Sequence, residues 1–515
     1  MLDNAHSLRA FLPELIVAGT VLAVLFVDLL ARRPHVGRAA ALTAVGLVAA
    51  GAATVMTMRA DGYGLFFGLI ARDPLADFFK LLFLATNLLV VLISLRAREA
   101  TDESAAEFFA LTLTTTAGMM LMASATDLLT AFLSLETVSI MSYVLAGFRR
   151  RSRESAEAAL KYVIYGGVAS GVMLYGMSLL YGLAGSTSFT AVRLACAHTP
   201  AAATVLLAVV LCLAGFGYKI ASVPFHMWCP DVYQGAPTPV TAFLSVGPKA
   251  AGFALLVRFF GGSLPAELVG APAPWPILLG LIAAATMTVG NLAALAQTNL
   301  KRLLAYSSIA HAGYVLLALC AGGSDGTRAI LLYLVTYLFM NLGAFLVIIA
   351  VADAGIGEEI AEWRGLGRRA PWAAVAMAIF LFSLTGLPPL AGFFGKFYVF
   401  AALLARGGSL MVTLAVIGIL NSAVSLYFYA RVLKAMYFEA PTVDEPLPLA
   451  RLHAATLALL AVPTVALFLV WSPLQRFVDS SLGQWYPAEM RPRSAQLDRS
   501  VKRSSVQLAN TSATK

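Results

Sequence analysis

The sequence predicts an all-α integral membrane protein with about fourteen transmembrane helices. The first observation is composition: 60% of the 515 residues are hydrophobic and only 12% are charged, whereas a soluble chain carries about 25% charged residues. The second is length, because apolar stretches of about 20 residues recur from end to end, and each can cross a hydrocarbon layer of about 30 Å as a helix. The third is that Pro and Gly interrupt some of these stretches, which a membrane helix tolerates where protein or a wet cavity satisfies the freed backbone groups.

Hydropathy places the helices in order along the chain, with short polar loops between them. No cleavage pattern precedes the first stretch, so we expect it to be a retained helix rather than a removed signal peptide. The glycine-rich connector 61–73 is predicted to form a hairpin. The predicted spans are 11–31, 39–58, 74–95, 106–124, 126–148, 158–184, 203–228, 239–260, 274–296, 300–321, 328–352, 372–405, 409–434 and 451–472.

Basic residues predict the orientation, because Lys and Arg in short loops favour the cytoplasmic side. They cluster in alternate loops, so both termini are predicted to be periplasmic in a bacterial inner membrane. This distribution also explains the net charge of +9 without a nucleic-acid partner. The tail 487–515 is too polar to bury itself and is predicted to be flexible. The loop residues that predict the orientation are Arg32, Arg33, Arg38, Arg96, Arg98, Arg149, Arg150, Arg151, Arg153, Lys301, Arg302, Arg364, Arg368 and Arg369.

Three lysines stand inside apolar stretches beside helix-breaking residues. Lys219 is followed within five residues by a proline, Lys249 directly follows Gly-Pro, and Lys396 follows a Gly-Leu-Pro-Pro segment. A lysine at the centre of a span costs about 2.5 to 3.5 kcal/mol, so three of them indicate a function. Interrupted helices with buried charge are typical of a transport site near the middle of the membrane.

Glu136 and His311 add two further ionisable groups within predicted spans. A buried carboxylate needs a partner, and a lysine on a neighbouring helix is the expected one. Burial disfavours the charged form of a lysine and a nearby carboxylate favours it, so a lysine whose carboxylate can approach or withdraw is a switchable proton site. His311 lies among hydroxyl-bearing residues, where a role in a proton path and a role in packing both remain open.

The remaining polar residues of the spans have plainer interpretations. His226 is expected to support the interruption after Lys219, and the four cysteines are expected to be small buried hydrophobic residues. Motifs of soluble catalysis are missing: the sequence contains no GxGxxG, no GxxxxGK[ST] and no HExxH. Six charged residues near span ends are expected to reach the membrane surface or to anchor topology: Glu14, Asp28, Lys161, Arg258, Lys301 and Arg302.

Three stretches resemble the proton-translocating, antiporter-like membrane subunits of respiratory complex I. They are 219–240 with Pro-Phe-His-Met-Trp and Pro-Asp-Val-Tyr-Gln-Gly-Ala-Pro-Thr-Pro-Val, 300–311, and 386–396. The resemblance covers about residues 10 to 475. Sibling subunits M and L and the Mrp-type antiporters share the first two stretches, whereas the segment 159–171 and Lys396 are similar to the subunit N group.

This resemblance implies a pair of inverted five-helix repeats, each with a broken helix that forms half of a channel. It implies N-terminal helices at 1–105, half-channels at 106–260 and 274–434, a last helix at 451–472 and the tail at 487–515. Its site residues would be Glu136 and Lys219 as a charge pair, Lys249 as the central relay, His311 on the hydrated axis, and Lys396 on the exit side.

The partners implied by the resemblance are the lipid bilayer and the other membrane-arm subunits of complex I. No cofactor is expected on this chain, since NADH, FMN, iron–sulfur clusters and quinone would be bound by other subunits. The sequence leaves two alternatives open. One is an Mrp-type monovalent cation/proton antiporter, and the other is a membrane scaffold whose lysines merely pair with carboxylates.

Overall fold

The structure, a computed structural model, describes residues 4–31, 34–58, 62–97, 104–441 and 445–482. Arg32, Arg33 and Arg98, which contribute to the predicted orientation, and the predicted tail 487–515 lie outside the described residues. Helices dominate what is described, and the strands form only two short two-stranded hairpins. The all-α prediction is therefore confirmed.

The N-terminal part contains four helices and the predicted hairpin. The antiparallel strands pair Tyr63 with Arg72 and Leu65 with Ile70, and Asp73 then begins the next helix by accepting a hydrogen bond from the Ala76 amide at 2.8 Å. The elements are α1 (Asn4–Ala10), α2 (Leu12–Leu30), α3 (Val36–Thr57), β1 (Tyr63–Leu65), β2 (Ile70–Arg72) and α4 (Pro74–Ser94).

Two successive sets of helices follow. The first set comprises α5 (Ala105–Ser124), α6 (Leu128–Ala146), α7 (Arg153–Ala184), α8 (Phe189–His198), α9 (Ala202–Ile220), α10 (Trp228–Gly235) and α11 (Thr238–Gly262). After the hairpin of β3 (Glu267–Leu268) and β4 (Ala271–Pro272), the second set begins. It comprises α12 (Trp275–Leu295), α13 (Leu300–Ala321), α14 (Gly323–Asp353), α15 (Leu366–Arg369), α16 (Pro371–Thr385), α17 (Ala391–Arg406) and α18 (Ser409–Phe438), and α19 (Arg451–Leu469) and α20 (Ser472–Ser481) end the described chain.

Thirteen of the described helices are long and apolar enough to cross a membrane. The one remaining predicted span, 372–405, is present as the two shorter helices α16 and α17, so the predicted number of crossings agrees with the described elements. The span predicted at 203–228 is also divided, into α9 and α10. The Gly-Pro beside Lys249 was expected to break its helix as well, but α11 continues through Pro248. That expectation was wrong because a proline can remove a single hydrogen bond and leave the helix kinked rather than broken.

The two sets repeat one pattern of helices. In each set the third crossing is the longest single helix, with 32 residues in α7 and 31 in α14, and the fourth crossing is the divided one. Each set has five crossings, the number that the predicted five-helix repeats require, and the inversion of one repeat relative to the other stays a prediction. The helices at the centre are α11, α13 and α14: the most apolar window of α11 is entirely buried, compared with 28% in α2 and α19.

Backbone conformation and side-chain hydrogen bonds account for the two divided helices. α9 ends where Ala221 adopts a left-handed conformation with φ of 58°, and α16 ends in the same way at Gly386 with φ of 90°. The carbonyls freed by each break accept hydrogen bonds from nearby side chains: the Tyr218 carbonyl accepts from Trp228 Nε1 at 3.0 Å, and the Thr385 carbonyl accepts from Lys396 Nζ at 2.7 Å. Inside a membrane a freed carbonyl needs such a partner, and these partners keep both breaks stable.

Candidate functional site

Lys219 lies in the last turn of α9 and is 1% exposed. Its Nζ donates a hydrogen bond of 3.0 Å to Ser139 Oγ on α6. Glu136 is one turn earlier on α6 and accepts a hydrogen bond from the Ser170 hydroxyl of α7. Lys219 therefore contacts α6 one turn away from Glu136. Among the described residues no ion pair within 4.0 Å joins the two groups, and each is hydrogen-bonded to a serine instead.

Aromatic side chains surround the break that follows Lys219. Tyr218 donates to the Tyr162 carbonyl at 3.0 Å, and its hydroxyl lies 3.5 Å from that of Tyr143. The rings of Tyr162 and Trp228 stack with centroids 4.2 Å apart. These contacts hold the end of α9 and the start of α10 against α7, and so fix the backbone that carries Lys219.

Lys249 lies near the middle of α11 and is 4% exposed. Its Nζ donates to Ser308 Oγ of α13 at 2.5 Å and lies 3.8 Å from Cys229 Sγ. The same Ser308 oxygen accepts a hydrogen bond of 2.8 Å from the Tyr337 hydroxyl of α14. A lysine, a serine and a tyrosine from three helices are therefore joined without a carboxylate.

His311 follows Ser308 by one turn of α13. Its Nδ1 and the Tyr333 hydroxyl are 2.7 Å apart, and its ring is 5.2 Å from that of Tyr337 between centroids. A small cavity of about 10 Å³ lies between Lys249, His311 and the two tyrosines. That volume is close to the 10 to 15 Å³ or so that one water needs, and apolar side chains such as Val246 and Phe253 complete the lining.

Lys396 belongs to α17 and reaches back to the end of α16. Its Nζ donates to the Thr385 carbonyl at 2.7 Å and to Ser422 Oγ of α18 at 2.7 Å. The ammonium also lies 4.5 Å from the centre of the Tyr314 ring. The carboxyl end of a helix carries partial negative charge, so this helix end and a ring face stabilise the cation in place of a carboxylate.

The predicted residues of the second half are linked through intermediate side chains. Lys249 contacts Ser308, Ser308 contacts Tyr337, and the His311 ring lies between Tyr337 and Tyr314 at centroid distances of 5.2 and 5.9 Å. Tyr314 then faces Lys396. Within the first set of helices, no hydrogen bond joins Lys219 to Lys249 among the described residues. Lys219 instead packs on α11 at Gly252, where an added Cβ would lie 3.5 Å from its Cγ.

The sequence placed His311 among hydroxyl-bearing residues but assigned no individual role to several members of this path. Ser308 and Tyr314 stand three residues before and after His311, which places all three on one face of α13, and that spacing was the available signal. Tyr333 and Tyr337 likewise share a face of α14. Ser422 gave no signal, since an isolated serine in an apolar span is most often bonded to its own helix.

Several charged residues expected at the membrane surface are buried or paired instead. Arg258 is 2% exposed and holds both oxygens of Asp73, at 3.0 and 2.7 Å. Lys301 is 1% exposed and lies 3.2 Å from Glu358. Glu14 is 3% exposed and lies 2.8 Å from Lys80. For Glu14 the surface interpretation was wrong, because a position near the end of a span does not show whether the side chain faces lipid or another helix. The interpretation of Arg258 and Lys301 as topology anchors stays a prediction.

Asp231 of α10 binds two of the other predicted anchors. Lys161 Nζ lies 2.6 Å from one carboxylate oxygen, and Arg302 Nη1 lies 2.5 Å from the other. Lys161 is on the first turns of α7 and Arg302 on the first turn of α13. Both helices follow predicted cytoplasmic loops, so a single carboxylate joins two basic segments expected on the same side. His226 lies in the break between α9 and α10, and its carbonyl accepts a hydrogen bond of 2.9 Å from the Cys229 amide.

In the part of the chain that the structure describes, no group of three or more His, Cys, Asp or Glu residues is arranged to hold a metal ion. The lysine, glutamate, histidine, serine and tyrosine side chains of the site can bind protons and form hydrogen bonds.

Comparison with known proteins gives consistent matches. Residues 125–422 match the family described as "NADH:quinone oxidoreductase/Mrp antiporter, TM". The "NADH-quinone oxidoreductase subunit N" of Anaeromyxobacter sp. (strain Fw109-5) is 50% identical over 506 residues, which cover 93% of this chain and 97% of that relative. The likeness therefore extends over nearly the full length of both chains.

Solved structures show the same arrangement of helices. A chain of respiratory complex I from Thermus thermophilus is 35% identical, with a TM-score of 0.75 over 90% of this chain and 98% of that chain. A chain of the Mrp complex from Dietzia sp. DQ12-45-1b gives a TM-score of 0.78 over 93% of this chain and 98% of that chain at 22% identity. The second likeness concerns the fold alone.

Proposed function

The chain belongs to the NADH:quinone oxidoreductase/Mrp antiporter family, in its subunit N group, and from this premise we propose that it translocates protons as a membrane subunit of an NADH:quinone oxidoreductase. The proposed path uses Glu136, Lys219, Lys249, His311 and Lys396. Electron transfer from NADH to quinone would take place on other subunits, with FMN and iron–sulfur clusters bound there.

The pairing of the lysines supports this proposal most strongly. Seven lysines fall within the described residues, and four of them have a carboxylate within 4.0 Å. The three that have none among the described residues are Lys219, Lys249 and Lys396. Burial without a carboxylate disfavours the charged form, so these are the lysines that can bind and release a proton with the smallest change around them.

The first step in the proposal is a change in the pairing of Lys219 with Glu136. In the structure Lys219 holds Ser139 and Glu136 holds Ser170, which is the separated arrangement. If Glu136 leaves Ser170 and approaches Lys219, the charged lysine is favoured and binds a proton; when Glu136 withdraws, the proton is released. A driver elsewhere in the complex must favour one arrangement over the other by differential interaction.

The second step carries the proton through the other half of the chain. Lys249 passes it to the cluster of Ser308, Tyr337 and His311, and Lys396 receives it beyond the Tyr314 ring. Water is required between Lys219 and Lys249, where no hydrogen bond among the described residues makes the link, and at the cavity beside His311. Lys396 is held by a helix end rather than by an anion, so the charge it gains is stabilised without a fixed counter-ion.

The proposed setting is a bacterial inner membrane with both termini periplasmic and other membrane-arm subunits as neighbours. Asp231 supports the orientation, because it ties the starts of α7 and α13 together at the side where Lys161 and Arg302 are found. An Mrp-type cation/proton antiporter is the alternative. The 50% identity to a subunit N, compared with 22% to the Mrp chain, favours the oxidoreductase subunit.

The test uses the purified complex containing the full chain, reconstituted into proteoliposomes. In Lys219→Ala and Glu136→Ala, proton pumping and coupled quinone reduction should fall while reduction of artificial acceptors by the soluble arm is unchanged. Lys434→Ala, which removes an exposed lysine, is the control and should pump normally. Normal pumping by both Lys219→Ala and Glu136→Ala would refute the proposal. Sodium-dependent exchange by the isolated chain, without flavin or iron–sulfur subunits, would support the Mrp alternative.

A further inference from the structure

A second buried group of charges lies in the N-terminal helices, outside residues 125–422 and outside the path described above. It consists of Glu14 on α2, Arg72 at the end of β2, and Asp77 and Lys80 on α4. All four side chains are at most 3% exposed. Charges buried to this degree are held by partners or change protonation state.

The two basic residues of this group are engaged unequally. Lys80 Nζ lies 2.8 Å from Glu14 Oε1 but 4.0 Å from Asp77 Oδ1. Arg72 donates to the Ala10 carbonyl and to the carbonyl and hydroxyl of Thr57, and its Nη2 is 3.7 Å from Asp77 Oδ1. Lys80 is therefore paired with Glu14, and the Arg72 guanidinium donates its hydrogen bonds to neutral oxygens.

Asp77 is consequently left without a hydrogen-bond donor. Among the described residues, the carboxylate oxygens of neither Asp77 nor Glu14 accept a hydrogen bond. Glu14 has the Lys80 ammonium at 2.8 Å, whereas Asp77, which is 1% exposed, has no cation closer than 3.7 Å. An ionised carboxylate in a dry interior needs close, well-aligned donors, and two cations near 4 Å on one oxygen do not supply them. The protonated form, which carries no charge, suits this position better.

Charged groups on the surrounding elements define the site. Those facing Asp77 are Arg72 from β2, Glu14 from α2, and Lys80 and Asp73 from α4 itself. Asp73 is neutralised by Arg258 of α11, which holds both its oxygens. Asp77 and Glu14 therefore share one mobile cation, Lys80, since the side chain of Arg72 is fixed by three hydrogen bonds.

We propose that Asp77, Lys80 and Glu14 form a proton-binding switch in the N-terminal helices. While Lys80 pairs with Glu14, Asp77 carries the proton. When a change of rotamer brings Lys80 to Asp77, the proton leaves the Asp77 carboxyl and binds the Glu14 carboxylate, so that one carboxyl is always neutral and the number of protons is conserved. This site is additional to the path of the proposed function and includes none of its residues.

Infrared spectroscopy of the purified complex with the full chain tests the switch. The wild type should show at neutral pH the C=O stretching band of a protonated carboxylic acid that is absent from Asp77→Asn. Glu14→Gln should lose the same band, because Lys80 then has only Asp77 to pair with and that carboxyl ionises. Asp28→Asn, on the same helix as Glu14, is the matched control: Asp28 is 25% exposed and lies 4.0 Å from Arg38, so its removal should leave the band intact.

Two results would overturn the switch. If Asp77→Asn superimposes on the wild type in the carboxylic acid region, Asp77 is ionised and the group is a fixed set of ion pairs. If Glu14→Gln keeps the Asp77 band, Lys80 does not move between the two carboxyls. Should Asp77→Asn fail to assemble, Asp77→Glu keeps an acid and must shift the band. Lys219→Ala should retain the band even if it stops pumping, which separates this inference from the proposed function.

Discussion

Gly386 lies against the stem of Lys396: a Cβ placed on this glycine would be 2.8 Å from Lys396 Cδ. The residue that ends α16 thus also provides the space through which the lysine reaches the Thr385 carbonyl. One position combines a left-handed backbone, which glycine adopts without cost, with close approach of a proposed proton-carrying group.

Gly386→Ala should reduce proton pumping while preserving electron input. The added methyl group must displace Lys396 from Thr385, and the left-handed conformation costs roughly 1 to 2 kcal/mol for a residue with a Cβ. The measurement is protons pumped per NADH oxidised in proteoliposomes. Gly185→Ala is the control, because its backbone is also left-handed, with φ of 62°, but nothing lies within 4 Å of the added Cβ. Equal pumping in both variants would show that the contact with Lys396 is unimportant.

Adjacent glycines of α7 offer a second matched pair. A Cβ on Gly166 would overlap the Tyr143 hydroxyl and lie 2.7 Å from that of Tyr218, whereas one on Gly167 meets nothing within 4 Å. Gly166→Ala should therefore separate the two tyrosines and lower the thermal stability of the assembled complex. Gly167→Ala should be neutral or more stable by about 0.5 to 1 kcal/mol, since glycine weakens a helix interior. The same loss of stability in both variants would contradict this account of the packing.

Removal of one hydroxyl from the Lys249 cluster should slow proton transfer. Ser308→Ala leaves the ammonium and the Tyr337 hydroxyl without their shared partner, and a lost buried hydrogen bond costs about 1 to 3 kcal/mol. We expect pumping-coupled turnover to fall several-fold, with electron input to artificial acceptors unaltered. Ser178→Ala removes an exposed serine that bonds only its own helix and should behave as wild type. A normal rate in Ser308→Ala would remove this serine from the path.

The Arg258–Asp73 pair should be a strong support for assembly. Both side chains are less than 10% exposed, and removal of one partner of a buried pair costs about 3 to 5 kcal/mol. Asp73→Asn should therefore lower the melting temperature of the complex markedly. The exposed pair Arg328–Asp325 is the comparison, for which Asp325→Asn should cost no more than about 1 kcal/mol. Similar melting temperatures for the two variants would show that burial does not strengthen the first pair.

Sequence reasoning was most successful where the membrane alone decides the outcome. A run of about 20 apolar residues has few alternatives to a spanning helix, so the spans and the two divided helices at Lys219 and Lys396 were predictable. The hairpin at 63–72 was also predictable, from its glycines. Each of these features depends on residues close together in the chain.

Partners across the fold were predicted less well. Glu136 and Lys219 were expected to pair directly, but Lys219 is hydrogen-bonded to Ser139 and Glu136 to Ser170. The sequence does not show how far apart two helices lie. Glu14 was expected to reach headgroups because its depth was read from its position in α2 alone. Pairing with Lys80 depends on which face of α2 meets α4, and a nearly uniform apolar helix gives no periodic signal for that face.

The unbroken course of α11 sets the spacing between Lys249 and the point where Lys219 packs on this helix. Gly252, on which Lys219 rests, and Lys249 are three residues apart on one rigid helix, so their separation along its axis is held at about 4.5 Å. Stretching that interval would require the helix to unwind. Any change in the distance between the Lys219 and Lys249 ammonium groups must therefore come from the ends of α9 and α10 or from side-chain rotation. The helix α11 itself keeps its length while these parts move.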